Sequence, residues 1–236
     1  MIALEETEIR RGARIVLRDI SFRADPGELV VLAGPNGTGK TTLLKRLAGL
    51  IGPAAPQPRR IGYLPQGARC AWSLSVAEVA SLGRLAHGDS DPAPVERALI
   101  ACGLEGLRDA RIDRISGGEA RRAMLARVLA TEPEVLLLDE PTADLDPAAA
   151  HAIMALLKRL TREGRTAVVV LHALELALHH ADRMVVLARD ADGCGRIVAD
   201  APPRGALPEA AAAFGLPWGP DPTPRLLPPL PSGTPA

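Results

Sequence analysis

One octapeptide restricts this chain more than any other feature: Gly34-Pro35-Asn36-Gly37-Thr38-Gly39-Lys40-Thr41. Two glycines framing four residues, followed directly by Lys-Thr, make a loop whose successive N–H groups can face one phosphate group. Its flanks supply the required context. Leu29-Val30-Val31-Leu32-Ala33 is a continuous apolar run of strand length, suited to a strand buried on both faces. After the loop, Leu43, Leu44, Leu47 and Leu50 recur at helical spacing. The helix would point its positive end at the anion. Lys40 would add a point charge for the β- and γ-phosphates, and Thr41 an oxygen for Mg²⁺.

Further strand-like runs at Val135–Leu138, Thr166–Leu171 and Met184–Leu187 alternate with helical patterns at 148–163 and 173–180. This alternation predicts an α/β fold with a mainly parallel sheet. Before it, Leu4 to Phe22 reads as a small antiparallel part of short strands around a tight turn at Arg11-Gly12, with Ile15-Val16-Leu17 as its apolar core. Residues from about Ser73 to Arg114 read as a helical insert. Pro53 to Pro58 forms a proline-rich connector. Eight prolines between Pro217 and Pro235 mark a tail that reads as unfolded or polyproline-like, with a binding motif as the alternative.

Val135-Leu136-Leu137-Leu138-Asp139-Glu140 is an apolar strand ending in two carboxylates. Set beside the first parallel strand, it would bring Asp139 to the nucleotide edge as a Mg²⁺ ligand. Glu140 could then take a proton from an attacking water. Ser116-Gly117-Gly118-Glu119 carries a capping box at a helix entrance. Taken alone it is either a well-capped helix or a second anion site.

Composition removes other classes. Twenty-eight Lys and Arg balance 28 Asp and Glu, which argues against non-specific nucleic-acid binding. Aromatics are 2% of the chain, so the core must be aliphatic. Cys70, Cys102 and Cys194 have no metal-site spacing and read as reduced thiols. His87, His179 and His180 read as surface or packing residues. No signal peptide and no membrane-spanning run is expected.

In order and spacing these elements resemble the ATP-binding cassette ATPases, over about residues 1–215. The series runs from the phosphate loop (Gly34 to Thr42) through the glutamine loop (Tyr63-Leu64-Pro65-Gln66) to the signature (Ile115-Ser116-Gly117-Gly118-Glu119). The Asp139-Glu140 strand, the D-loop (Thr142-Ala143-Asp144-Leu145-Asp146) and the switch histidine His172 complete it. The resemblance implies a P-loop core with a helical subdomain at about 70–128 and a tail at 216–236. It implies ATP and Mg²⁺ as ligands, with Thr41, Gln66 and Asp139 on the metal and Glu140, His172 and Gln66 in hydrolysis. Gly34 to Thr42, Ser116 to Glu119, Asp146 and Arg11 would hold nucleotide. Two subunits would pair head to tail, each signature meeting the partner's ATP, and Gln66 would link the site to membrane permease subunits. An extracytoplasmic solute-binding protein would complete the system, with this chain peripheral on the cytoplasmic face of the membrane.

A narrower resemblance lies in Ser73 to Arg84, ending Leu82-Gly83-Arg84, and in Asp200 to Gly215. It is similar to importer ATPases for ferric siderophores, haem and cobalamin. An exporter or a zinc or manganese importer is the second reading, and a soluble cassette ATPase in translation or DNA repair the third. The chain departs from the family in placing Arg11 where an aromatic residue stacks on adenine. It also places Gln66 only 26 positions after Lys40, Ala173 after the switch histidine, and Glu119 for a commoner glutamine. The first two changes sit on the base side, so weak discrimination between ATP and GTP is expected.

Overall fold

The computed structural model describes residues 1–52 and 60–216. Its elements run β1 (Ile2–Arg11), β2 (Arg14–Ala24), β3 (Leu29–Ala33), α1 (Lys40–Leu47), β4 (Ile61–Leu64), α2 (Val76–Ser81), α3 (Pro92–Ala101) and α4 (Gly117–Leu129). They continue through β5 (Val135–Asp139), α5 (Pro147–Arg162), β6 (Thr166–Val170), α6 (Leu174–His180), β7 (Arg183–Arg189), β8 (Gly195–Ala201) and α7 (Pro203–Phe214). The connector at Pro53–Pro58 and the tail from Pro217 lie outside the described residues.

Among the described residues the strands make one eight-stranded sheet in the order β1-β2-β8-β7-β3-β6-β5-β4. The pairs β3–β6, β3–β7, β5–β6 and β4–β5 are parallel, whereas β1–β2 and β7–β8 are antiparallel. Every residue of β3, β5 and β6 is buried, as continuous apolar runs require when both sheet faces are covered. Alternate residues serve two cores. Val30, Leu32, Leu137 and Val168 face Leu43, Leu44 and Leu47 of α1. Leu29, Val31, Leu136 and Val169 face a larger aliphatic mass that includes α2 to α7. Each buried Val or Leu contributes about 1.5–3 kcal/mol relative to an exposed one, so the strand edges that carry the loops are firmly placed.

Three expectations are corrected, and two elements are added. The first two strands are long, 10 and 11 residues, and of Ile15, Val16 and Leu17 only Leu17 is fully buried. The helix after the phosphate loop stops at Leu47. Gly49 takes φ 70° and turns the chain, leaving Leu50 58% exposed. β5 does not lie beside β3, because β6 stands between them. Finally, β8 and α7 are elements that the hydrophobic periodicity did not single out. No described helix is long and apolar enough to cross a membrane.

Candidate active site

The phosphate loop leaves β3 at the carboxyl edge of the sheet, and close backbone packing dictates its glycines. A Cβ on Gly34 would sit 2.2 Å from the Leu187 carbonyl oxygen, and one on Gly39 2.6 Å from Leu17. Both glycines also have positive φ, 136° and 98°, which other residues adopt only with strain. α1 opens at Gly39 without a side-chain cap and without an acid in its first turn. By contrast Ser75, Ser116 and Asp146 cap α2, α4 and α5. The first amides of α1 are therefore left for an anion.

Lys40 is 6% exposed. Its ammonium donates to the carbonyls of Gly34 (2.6 Å) and Pro35 (2.8 Å). Burial is the main force lowering its pKa, opposed by Glu140 and Asp139. Thr38 Oγ1 braces the loop by donating to the Pro35 carbonyl. Over this loop lies a cleft of about 470 Å³, within the range of small-molecule sites. Asn36, Gly37, Gly39, Lys40, Thr41 and Thr42 line its floor, Gln66 and Glu140 one wall, and Arg11, Arg14 and Val16 another.

Asp139 is fully buried at the tip of β5, and neither carboxylate oxygen has a hydrogen-bond partner. Burial pushes its pKa up, and the neighbouring Thr41 side chain pulls the other way. An unsatisfied buried carboxylate beside a threonine hydroxyl and a phosphate loop fits a hydrated divalent cation. Among the described residues no group of three or more His, Cys, Asp or Glu could hold a metal, so such a cation would rely on phosphate oxygens and water as well.

Glu140 adopts φ 52°. Its N–H donates to Val170, and its carbonyl accepts from Ala143 at the start of the D-loop. Its Oε1 lies 2.7 Å from Nε2 of His172. An ionised carboxylate can only accept, so that nitrogen carries the proton.

The signature forms the reciprocal box its spelling suggests. Ser116 Oγ accepts from the Glu119 amide and donates to the Glu119 carboxylate, which also accepts from the Ser116 amide. Gly118 packs toward Leu145 of the D-loop, where a Cβ would meet it at 3.1 Å. Asp146 is occupied as the N-cap of α5. Gly117 borders a second cleft of about 590 Å³ with Arg121 and Asp144, which Gln66 and Glu140 also border. No signature residue lines the cleft over the phosphate loop.

The structure adds residues that the sequence reading did not name. Arg189 donates to the Gly37 carbonyl (3.1 Å) and lines the first cleft with Arg14. A Cβ on Gly195 would meet the Thr38 carbonyl oxygen at 2.0 Å. Arg14 was within reach, because it pairs with Arg11 across the expected turn. Arg189 and Gly195 carry no local motif. The Leu-Gly-Arg segment proves to be a structural fastener: a Cβ on Gly83 would hit the Arg127 carbonyl oxygen. Beside it, Arg84 bonds Asp89, Glu132 and the Ala130 carbonyl. His179 and His180 pack around His151, whose Nδ1 is 3.0 Å from His180 Nε2.

Sheet order and cleft chemistry together define a nucleotide-binding α/β cassette. The chain belongs to the ABC transporter family, whose model matches residues 17–143, and it is an ATP-hydrolysing, ATP-binding transporter subunit. It is 37% identical to a hemin import ATP-binding protein HmuV of Plesiomonas shigelloides, over 84% of this chain and 88% of the relative. A zinc import ATP-binding protein ZnuC of Cereibacter sphaeroides is 36% identical, over 88% of each. Among solved structures, a metal-chelate type ABC transporter in an inward-facing conformation superposes with a TM-score of 0.79 at 25% identity, covering 92% of this chain and 89% of that one. A dimeric post-hydrolysis cassette bound to ADP and Pi gives 0.74 at 26% identity, covering 87% and 100%.

Proposed function

We propose that two copies of this chain bind two ATP molecules head to tail and drive import of haem or another iron chelate. The observation that carries the paired arrangement is the separation of Ser116–Gly118 from the cleft that holds Lys40, Thr41, Gln66 and Glu140. A γ-phosphate seated on one subunit's loop then needs the partner's signature to close it from the other side. The transported class rests on similarity along most of the chain to hemin importers and to a metal-chelate transporter.

In this reading Lys40 leaves the Gly34 and Pro35 carbonyls for the β- and γ-phosphates, and Gly34 to Thr42 cradle them. Burial that works against the bare ammonium strengthens its attraction to the phosphates. Thr41, Asp139 and Gln66 would hold Mg²⁺, whose chemistry is to draw charge from the phosphate oxygens. Glu140 takes a proton from the attacking water, and His172 Nε2 holds the carboxylate and turns to the γ-phosphate. Ser116, Gly117 and Gly118 meet the partner's ATP; Glu119 shapes that turn through its capping box, and Asp146 fixes the D-loop end. Arg11 lies against the base. Residues 1–215 form the cassette, with 70–128 as its helical subdomain.

Gln66 borders both clefts and would relay closure to integral permease subunits on the cytoplasmic face of the membrane. An extracytoplasmic solute-binding protein would deliver the solute. Trp72, 67% exposed six residues after Gln66, offers an apolar anchor for such a partner. Import of another metal is a second reading, favoured by the match to ZnuC. Pull-down of tagged Glu140→Gln protein from native membranes with Mg-ATP decides the matter. A co-eluting polytopic permease of the haem or iron-chelate type is expected; a zinc permease would move the solute to the second reading. Ribosomal or DNA-repair partners would overturn the transport role.

A further inference from the structure

Arg121 sits four residues into α4 from Gly117 and is half-buried. Its guanidinium donates to the main-chain carbonyl of Glu140 and, at 3.3 Å, to that of Asp139. Its Nε is buried without a partner. Burial works against its charge, while Asp144, Glu140 and Asp139 favour it. A half-buried guanidinium aimed at two carbonyls is a fastener rather than a solubilising surface charge.

The backbone it holds is itself unusual. Glu140 is a non-glycine residue at φ 52°, a conformation that persists only when its surroundings impose it. Its N–H is fixed on Val170 of β6, and its carbonyl meets Arg121. α4 touches the same region a second time, through Gly118 against Leu145. The helix that carries the signature at its head is thus fastened to the residue whose carboxylate meets His172.

We propose that Arg121 is a positioning residue that couples the signature helix to Glu140 of the same subunit. Engagement of Ser116–Gly118 by the partner's ATP then sets the base over this subunit's own ATP. The inference rests on the head-to-tail reading above. It gives the two ATP sites a physical link that does not pass through the nucleotide: a shift of α4 moves Arg121, and with it the Glu140 peptide.

The test compares wild type, Arg121→Gln and Arg121→Lys for ATP affinity, kcat, KM and Hill coefficient. It also measures ATP-driven dimerisation of Glu140→Gln with and without Arg121→Gln. Arg121→Gln is expected to lower kcat about tenfold and bring the Hill coefficient toward one, with ATP affinity and dimerisation retained. Arg121→Lys, which keeps the charge and a donor group but not the planar fork, should recover part of kcat. If Arg121→Gln fails to fold, Arg121→Lys decides alone, and its kcat should fall at unchanged affinity. Unchanged kcat and Hill coefficient would overturn the inference, as would a kcat loss matched by lost affinity. If Glu140→Gln alone fails to dimerise with ATP, the head-to-tail reading falls and takes the inference with it.

Discussion

Glu140 Oε1 and His172 Nε2 stand 2.7 Å apart at the ends of two adjacent strands, β5 and β6. Asp139 pairs in register with Val170, so the sheet itself delivers both side chains to one edge. The carboxylate is the less exposed of the two, 18% against 40% for the imidazole. A base sheltered in this way and held by a hydrogen-bond donor is suited to accept a proton from a water in the cleft.

Glu140→Gln keeps the shape and, in the proposed mechanism, removes the base. Its kcat should fall at least about a hundredfold, the lower range for removing a general base, while ATP affinity stays near the wild-type value. Phosphate release at saturating ATP, beside a nucleotide-binding titration, checks both halves. Undiminished turnover would assign the proton transfer elsewhere.

Gly195 tests whether β8 supports the phosphate loop. Gly195→Ala would place a Cβ 2.0 Å from the Thr38 carbonyl oxygen and 2.7 Å from Leu17. Since the first of these is backbone, the loop itself must shift. Such overpacking costs about 1–3 kcal/mol, and ATP binding should weaken together with the Tm. Gly205→Ala in α7 is the control, with its nearest atom at an ordinary 3.5 Å, and should leave both nearly unchanged.

The wall proposed to meet the base offers Arg11, Arg14 and Val16, and among the described residues no aromatic ring lines the cleft. One exposed guanidinium over a base is worth about 1 kcal/mol and stacks on any purine. ATP and GTP should therefore differ by less than about fivefold in kcat/KM. Arg11→Tyr should tighten binding of both nucleotides. A large preference for ATP in the wild type would show that base recognition lies in other residues.

Burial first, then His151, His179 and Lys158, depress the pKa of His180 below its ordinary 6.5. The unfolded chain thus binds a proton that the native state refuses. The stabilising effect is complete above pH 6.5 and is lost as pH falls from there toward the lower native value. Carboxylates with depressed pKa, such as Asp89 and Asp190, lose theirs only below the ordinary 3.8. Between pH 7.5 and about 5.5 the wild-type Tm should therefore drop more than that of His180→Asn. Equal slopes would remove His180 from the pH response.

What could be read from the sequence was what is written contiguously. The octapeptide from Gly34 to Thr41, the Ser116–Glu119 box and the apolar run into Asp139 each carry their chemistry within a few residues, and each forms as spelled. What could not be read depends on partners far along the chain. Gly195 matters because of Thr38, Arg189 because of Gly37, and His151 because of His180. Strand order is also not local: nothing in either apolar run says that β6 separates β5 from β3, whereas the place of Asp139 at the sheet edge follows from its own strand. Prolines at 203 and 208 hid α7, where one sits in the first turn and the other interrupts the pattern. Arg121 resembled any polar residue on a helix, since its carbonyl partners lie on a different element.

The head-to-tail ATP site is the central claim, and sedimentation of Glu140→Gln protein tests it most directly. Without nucleotide the protein should run as a monomer, and with saturating Mg-ATP as a dimer. Adding Ser116→Arg to the same chain should abolish the dimer while leaving ATP bound. A species that stays monomeric at saturating ATP, or a dimer indifferent to Ser116→Arg, would contradict the account.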